Sequence, residues 1–192
     1  VLNLSVTARH EGPLLAPDEP AAFTVERAHG QSPFFLICDH ASARVPRRLN
    51  SLGLSAQDLQ RHIAWDIGAA KVAIALAARL DAFLILQNWS RLVIDCNRPP
   101  GSEQSIVLQS EATRIPGNES VSPDEALVRE QAIFRPYHDR IRNELALRES
   151  QKRQTLLVSV HSFTPCFKGE QRRWHAGLLY NRDRRLAAPL LQ

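Results

Sequence analysis

The chain has 192 residues, 44% of them hydrophobic and 23% charged, and its formal net charge is +4. This composition is typical of a soluble globular protein, and since no apolar run reaches 18 residues, no association with a membrane is predicted. The basic residues are dispersed and accompany no nucleic-acid-reading motif, so no nucleic-acid partner is predicted. Cys38, Cys96 and Cys166 are too few and too far apart for a disulfide framework, which favours a reducing, cytoplasmic location.

The first half of the chain predicts strands that alternate with helices. Ser55 is a candidate cap for a short helix, with Asp58 as its acidic partner three residues later. An Ala-rich stretch over about 67–80 predicts a second helix, and because it is apolar nearly all round we expect it to be largely buried. Short apolar runs predict strands at residues 23–25, 34–38, 83–86 and 91–95.

The second half begins with a polar loop, residues 99–123, whose length is typical of a functional segment. The sequence Ser-Pro-Asp-Glu at 122–125 predicts the start of a long helix that continues to about residue 149. Pro136 lies inside this helix, where it should cause a kink. The later predicted elements are strands at 155–160 and 176–180 and a helix that begins at Asp183.

This alternation predicts an α/β fold, a three-layer sandwich around a mixed, mostly parallel sheet. We expect a single domain over residues 1–192, and the glycine-rich fingerprints of nucleotide-binding folds are absent from the sequence. The last residues, 186–192, are largely apolar and nothing follows them to pack against. We therefore expect the domain to be incomplete at its C-terminus.

Two histidines, His40 and His161, come directly after predicted strands, at the edge where open α/β sheets bind ligands. Two neutral imidazoles and one carboxylate, with a position left for water, make a catalytic zinc site. Asp66, at the mouth of the second helix, is the candidate carboxylate. Asp39 is an alternative ligand, or a partner that orients a ligating imidazole. Each histidine could instead hydrogen-bond a turn, and Asp66 could cap its helix.

Asn97 and Arg98 follow the apolar run that ends at Asp95. They could present an amide and a planar guanidinium to a substrate carboxylate, since the fork of an arginine matches two oxygens. Arg91, at the other end of the same run, could assist. The alternative is that Arg98 pairs with Asp95 or Asp39 and is structural.

Six segments of the sequence carry these residues or lie beside them. They are 38–42 (CDHAS), 65–68 (WDIG), 90–99 (SRLVIDCNRP), 115–118 (IPGN), 160–163 (VHSF) and 173–177 (RWHAG). Taken together they resemble the N-formylglutamate amidohydrolase family, and the resemblance runs from about residue 33 to the end of the chain. As a combination the segments are specific to that family.

The resemblance implies a metal-dependent hydrolase, with zinc the expected metal, on a phosphorylase/hydrolase-like fold akin to zinc carboxypeptidases. The implied reaction cleaves N-formyl-L-glutamate to formate and L-glutamate, a late step of histidine degradation. The HxxE zinc pair of carboxypeptidases is absent, because Ala43 lies three positions after His40. The expected metal ligands are His40, Asp66 and His161, which form the catalytic set with Arg98. The expected substrate-binding residues are Ser42, Arg91, Asn97 and Arg98.

The expected partner is a small-molecule N-acyl amino acid, bound by a monomer or a small homo-oligomer. One alternative is a related zinc deacylase or carboxypeptidase-like peptidase that uses the same site on another substrate. Another is a non-catalytic protein that binds small anions and needs no zinc.

Hydrolysis also needs a general base, and no glutamate adjoins the strand-end motifs. The resemblance implies a C-terminal strand that carries a glutamate base. Residues 1–192 are therefore expected to bind zinc but to turn over substrate slowly. His175 is the alternative base.

Overall fold

The computed structural model describes residues 12–167 and 169–191, which form a mixed four-stranded sheet covered on both faces. The strands are β1 (Phe23–Glu26), β2 (Phe34–Cys38), β3 (Phe83–Gln87), β4 (Gln109–Ser110), β5 (Thr113–Arg114), β6 (Leu156–Ser159), β7 (Cys166–Phe167) and β8 (Glu170–Gln171). The helices are α1 (Ala56–Leu59), α2 (Ala69–Leu80), α3 (Pro123–Arg129), α4 (Arg135–Ser150) and α5 (Ala187–Leu190). Shorter 3₁₀ segments lie at Arg47–Gly53 and Pro116–Asn118, and a π turn lies at Glu130–Phe134.

The central sheet has the strand order β1-β3-β2-β6. β2 pairs in parallel with both β3 and β6, whereas β1 pairs antiparallel with β3. The carboxyl ends of β2, β3 and β6 therefore lie at one edge of the sheet, where polar residues of the following segments can meet. The strands predicted at 23–25, 34–38, 83–86 and 155–160 are confirmed.

Strand β3 shows how the sheet is buried on both faces. Phe83 and Ile85 belong to a core that includes Tyr137 of α4. Leu84 alternates with them and belongs to a second core that includes Ala73 of α2. Successive side chains of a strand point to opposite faces, so a strand buried on both sides reads as a continuous apolar run. The predicted three-layer α/β sandwich with a mostly parallel sheet is confirmed.

Helix α2 contradicts the expectation that it is buried nearly all round. Its buried residues are Ala69, Ala73 and Ala77, spaced four positions apart so that they form one stripe against the sheet. Val72 is 53% exposed and Ile74 is 45% exposed. The prediction was wrong because a helix that lies on one face of a sheet buries only one side, whatever its mean composition.

The strand predicted at 91–95 is also wrong. Leu92, Val93 and Ile94 are buried in the core, but the segment forms turns and pairs with no strand among the described residues. Strand β3, which precedes it, already has β1 on one side and β2 on the other. The chain that leaves β3 therefore has no free edge beside it, and burial alone accounts for the apolar run.

The long helix predicted from residue 122 is confirmed: α3, the π turn and α4 follow one another without a gap. Ser122 Oγ accepts the N–H of Glu125, and the Glu125 carboxylate accepts the N–H of Ser122. Where Pro136 predicted a kink, a π turn ends two residues before the proline. A proline cannot donate to the preceding turn, so the helical hydrogen-bond pattern changes there.

The chain beyond β6 differs from the prediction in two places. The strand predicted at 176–180 does not form, and these residues are exposed. Helix α5 begins at Ala187 and not at Asp183, whose carboxylate accepts hydrogen bonds from Arg185. A short apolar run becomes a strand only where a neighbouring strand supplies its hydrogen bonds, and none of the described residues does so here. No helix in the described parts of the chain combines the length and the apolar character needed to cross a membrane.

Candidate metal centre

His40, Asp66 and His161 come together at the carboxyl edge of the sheet. His40 follows β2 and His161 follows β6, and because these strands are parallel neighbours, the two ring centroids lie 5.1 Å apart. Asp66 Oδ2 lies 3.4 Å from His40 Nδ1 and 2.8 Å from His161 Nδ1. One ligand atom from each residue lies within 4.8 Å of the other two. The structure thus brings together the three side chains that the sequence predicts as metal ligands.

Asp66 is positioned by the turn that leads into α2. Its N–H donates to the carbonyl of His40 (3.0 Å), and its own carbonyl accepts the N–H of Ala69 (3.1 Å). Gly68 has a φ of +84°, a left-handed conformation that glycine adopts without steric cost, and it is the cap residue of α2. Among the described residues, no side chain caps this helix. The alternative in which Asp66 caps α2 therefore does not describe the structure, and its carboxylate faces the histidines.

The second ring nitrogen of His40 is held by Asp95. With the proton on Nε2, His40 donates to Asp95 Oδ1 at 2.7 Å, which leaves Nδ1 directed at Asp66. His40 is only 1% exposed. A metal-binding histidine almost always donates its other N–H to a carboxylate or a carbonyl, because this fixes the ring and its tautomer. Sequence reasoning missed Asp95 in this role, although it stands at the end of an apolar run.

His161 is oriented in the same way by Asp39. His161 Nε2 lies 2.9 Å from Ser159 Oγ and 3.2 Å from Asp39 Oδ2. Asp39 is itself fixed by the hydroxyls of Tyr137 (2.9 Å to Oδ1) and Ser159 (2.7 Å to Oδ2). Of the two roles considered for Asp39, this geometry favours the partner that orients an imidazole. Sequence reasoning missed Tyr137 and Ser159, since only the fold brings them to Asp39.

Arg91 links the carboxylates of Asp66 and Asp95, the two that contact His40. Its Nη2 donates to Asp95 Oδ2 at 2.8 Å, and its Nη1 donates to Asp66 Oδ1 at 3.4 Å. Both terminal nitrogens of this guanidinium thus face carboxylates of the centre. Arg91 lines the cleft described below, but these contacts make it an orienting group for Asp66 and Asp95.

These contacts shift the pKa values of the charged groups. Hydrogen bonds to Asp39 and Asp66 raise the pKa of His161 to about 9. Burial by itself would raise the pKa of Asp66, but hydrogen bonds from His161 and His40 outweigh burial and hold it well below its usual range. Burial would likewise raise the pKa of Asp95, but the hydrogen bond from His40 outweighs burial and lowers this pKa to about 2. At neutral pH the carboxylates are therefore negatively charged, and the imidazole of His161 is protonated and positively charged.

The donor atoms fit a divalent metal ion. Two imidazole nitrogens and one carboxylate oxygen are the protein ligands of many catalytic metal sites, which leave a further position open. Each imidazole here has its second nitrogen on a carboxylate, as expected of metal-binding histidines. The side chain of His161 is 33% exposed, whereas His40 is buried, so the open side of the group lies towards His161.

A cleft of about 530 Å³ adjoins the centre. Residues that line it include Arg91, Asp95, Arg98, Ser110, Glu111 and Thr164. Ser110 and Glu111 belong to the β4–β5 hairpin, so the polar loop predicted to be functional supplies one wall of the cleft. The volume lies within the usual range for small-molecule sites.

Arg98 differs from Arg91 in its partners. Its Nε donates to the side-chain oxygen of Gln104 (2.8 Å), and its Nη1 donates to the carbonyl of Asn97 (2.8 Å). Within the described residues it forms no ion pair with Asp95 or Asp39, so the structural alternative is not what the chain adopts. A guanidinium with neutral partners at the wall of a cleft is suited to bind a carboxylate.

The remaining candidate residues are not among the three converging side chains. Asn97 is exposed, and its backbone N–H donates to Asp95 Oδ1 (2.8 Å). Ser42 Oγ accepts the N–H of Arg44 (3.1 Å). His175 is exposed and is not part of the group that could hold a metal. Cys38 is buried, and burial raises the pKa of its thiol to about 12, which makes it unreactive.

The variant Asp95→Asn should bind metal more weakly while it preserves the fold. The amide would keep the shape of the side chain and an oxygen for His40 Nε2, but it would lose the charge that makes the imidazole a stronger ligand. Such changes typically lower metal affinity about 10- to 100-fold. Competition with a chelator measures the Zn²⁺ dissociation constant. Asp139→Asn, on the exposed surface of α4, is the control, and equal affinity in the wild type and both variants would contradict the role of Asp95.

Metal affinity should also rise with pH. His161 must lose its proton to become a ligand, and its pKa is raised from 6.5 to about 9. Below that value each bound metal displaces a proton from His161. Burial opposes a proton on His40, but its hydrogen bonds to Asp66 and Asp95 outweigh burial and raise its pKa as well, so affinity should increase about tenfold or more per pH unit between pH 6.5 and 8.5. In the metal-free protein the sign is opposite: the ion pairs of His161 stabilise the fold fully below pH 6.5 and are lost as the pH rises through about 9. Zn²⁺ titrations at several pH values check this, and a pH-independent affinity would contradict it.

Comparison with known proteins identifies the family. The family model of N-formylglutamate amidohydrolase matches residues 32–192. The crystal structure of the gene product Atu2144 from Agrobacterium tumefaciens is similar, with a TM-score of 0.90 and 40% sequence identity. The match covers 93% of this chain and 71% of that chain. No curated protein matches the sequence significantly. Since the family model spans most of the sequence, the chain belongs to the N-formylglutamate amidohydrolase family.

Proposed function

We propose that this protein is a zinc-dependent amidohydrolase that removes an N-formyl group from an acidic amino acid such as N-formyl-L-glutamate. Membership in the family supports the reaction class. The observation that carries the proposal is the convergence of His40, Asp66 and His161, with the second nitrogen of each imidazole on a carboxylate. Histidine degradation as the pathway and the cytoplasm as the location stay predictions.

His40, Asp66 and His161 would hold the zinc ion. A bound zinc ion acts as a Lewis acid on an amide carbonyl and makes water more acidic. Asp95 and Asp39 contact Nε2 of the two histidines, so both Nδ1 atoms face Asp66 and would be available to the ion. Arg91 offsets the negative charge that Asp66 and Asp95 bring to this buried region.

Arg98 would bind a carboxylate of the substrate, with Asn97 and Ser42 as further contacts. The assignment rests on the position of Arg98 at the cleft and on its neutral partners. The cleft meets the proposed metal centre at Arg91 and Asp95, so a substrate whose carboxylate is held by Arg98 could extend its acyl end towards that centre. Arg91, predicted from the sequence as a second contact, would act mainly through Asp66 and Asp95.

None of the carboxylates in the metal centre is proposed as the general base. Asp39, Asp66 and Asp95 each accept hydrogen bonds from a histidine or arginine, and the pKa of each is lowered, so none is suited to take up a proton. Glu111 lines the cleft, but its carboxylate is bonded to Arg61 and His62. The cleft volume of about 530 Å³ would also admit acyl groups larger than formyl, and this favours a related deacylase as the second candidate.

Hydrolysis assays with metal analysis test this function. With Zn²⁺ present, we expect slow formate release from N-formyl-L-glutamate and still slower cleavage of the N-acetyl and N-succinyl compounds. His40→Ala and His161→Ala should remove bound zinc and activity together, whereas His29→Ala, at an exposed position, should change neither. Stoichiometric zinc in both ligand variants would refute the assignment. Preference for a larger acyl group would identify a related deacylase, and anion binding without zinc would identify a non-catalytic protein.

Arg98→Lys keeps the charge but removes the planar fork that matches a carboxylate. We expect kcat/KM for N-formyl-L-glutamate to fall by an amount that corresponds to about 1–3 kcal/mol, the range for a charge-assisted hydrogen bond. N-formyl-L-glutamine, which lacks the side-chain charge, shows which carboxylate is held. Arg114→Lys, at an exposed ion pair with Glu119, is the control. Unchanged kinetics in Arg98→Lys would make Arg98 structural.

A further inference from the structure

The buried segment that follows β3 satisfies its backbone through side chains. Leu92 and Val93 lie in the core outside any strand, so their carbonyls need other donors. Asn118 Nδ2 donates to the carbonyl of Leu92 (2.9 Å) and to that of Val107 (2.8 Å). Arg129 Nη1 donates to the carbonyl of Val93 (3.1 Å). Two polar side chains from distant parts of the sequence thus replace the hydrogen bonds of a strand.

Arg129 and Asn118 also bind each other. Arg129 Nη1 donates to Asn118 Oδ1 at 2.7 Å, and its Nη2 donates to the carbonyl of Gly117 at 3.2 Å. Arg129 is 3% exposed and forms no ion pair among the described residues. Burial lowers its pKa to about 10, so the side chain stays charged at neutral pH. A buried charge with neutral partners costs stability relative to an apolar side chain, and an apolar side chain would leave these carbonyls without donors.

The segment held in this way carries metal-centre residues at both ends. Arg91, directly before Leu92, contacts Asp66 and Asp95. Asp95, two residues after Val93, accepts from Nε2 of His40. A shift of the Leu92 and Val93 carbonyls would therefore move the groups that orient His40 and Asp66.

We propose that Asn118 and Arg129 are positioning residues of the metal centre, because they fix the backbone from which Arg91 and Asp95 orient two metal ligands. This inference rests on the proposed metal-dependent function. It also gives a role to the IPGN segment at 115–118. None of the described residues that line the cleft belongs to this segment.

The test compares Arg129→Gln with Arg148→Gln. Arg148 is an equally buried arginine on α4, 1% exposed, and its described hydrogen bonds go to Glu144 and to the carbonyl of Ser32, outside the metal centre. Both changes should lower the thermal unfolding temperature of the metal-free protein. A merely structural role for Arg129 would make the two variants alike in every other measurement.

Only Arg129→Gln should change the metal centre. We expect its Zn²⁺ dissociation constant to rise about tenfold or more, and the Nε2–H resonance of His40 in the metal-free protein to shift. Arg129→Lys, which can still donate to one carbonyl, should recover part of the Zn²⁺ affinity. Asn118→Asp fills the same space but cannot donate to Leu92, so it should weaken Zn²⁺ binding as Arg129→Gln does.

Unchanged Zn²⁺ affinity and an unchanged His40 resonance in Arg129→Gln would overturn the inference, as would equal losses in both arginine variants. If Arg129→Gln fails to fold, Arg129→Lys and Asn118→Asp decide the question by the same two measurements. If the wild-type protein binds no Zn²⁺, the proposed function fails, and the His40 resonance of the metal-free variants still decides whether Asn118 and Arg129 position His40.

Discussion

The parallel pairing of β2 with β6 is the constraint on which the candidate metal centre depends. Its register places Ile37 opposite Ser159, and the N–H of Val160 donates to the carbonyl of Ile37. The residues that follow both strands therefore emerge side by side, so that His40 and His161 can share the carboxylate of Asp66. A slip of one residue would turn every side chain of β6 to the opposite face, and the two imidazoles would no longer meet.

The second physical feature of the site is its balance of charge. Three carboxylates, Asp39, Asp66 and Asp95, lie close together in a largely buried region. Unpaired buried charges are strongly unfavourable, so each carboxylate contacts a histidine, and two of them also contact Arg91. In the metal-free protein protons on the histidines supply part of the compensating charge. A divalent cation would supply it instead, which links metal binding to proton release.

The long polar loop contributes to both the wall of the cleft and the support behind it. The β4–β5 hairpin supplies Ser110 and Glu111 to the cleft, whereas Asn118 reaches into the core and binds the carbonyl of Leu92. Loops usually avoid the interior because their backbone groups lack partners there. In this protein polar side chains supply those partners, so the buried carbonyls of a segment outside the sheet are hydrogen-bonded, as they would be in a strand.

The sequence was sufficient to predict the family and to single out His40, Asp66 and His161, which the fold brings together. Residue chemistry at strand ends and short motifs are local properties, so they can be read without the fold. The role of Asp95 could not, and neither could those of Tyr137 and Ser159, since they depend on which side chains meet across the sheet. Apolar composition predicted a strand at 91–95, where the residues from Leu92 to Asp95 are buried without forming one, and it predicted part of the burial of α2. Only the tertiary structure decided that one run lacks a strand partner and that the helix buries one face, because long-range packing sets hydrogen-bond pairing and orientation.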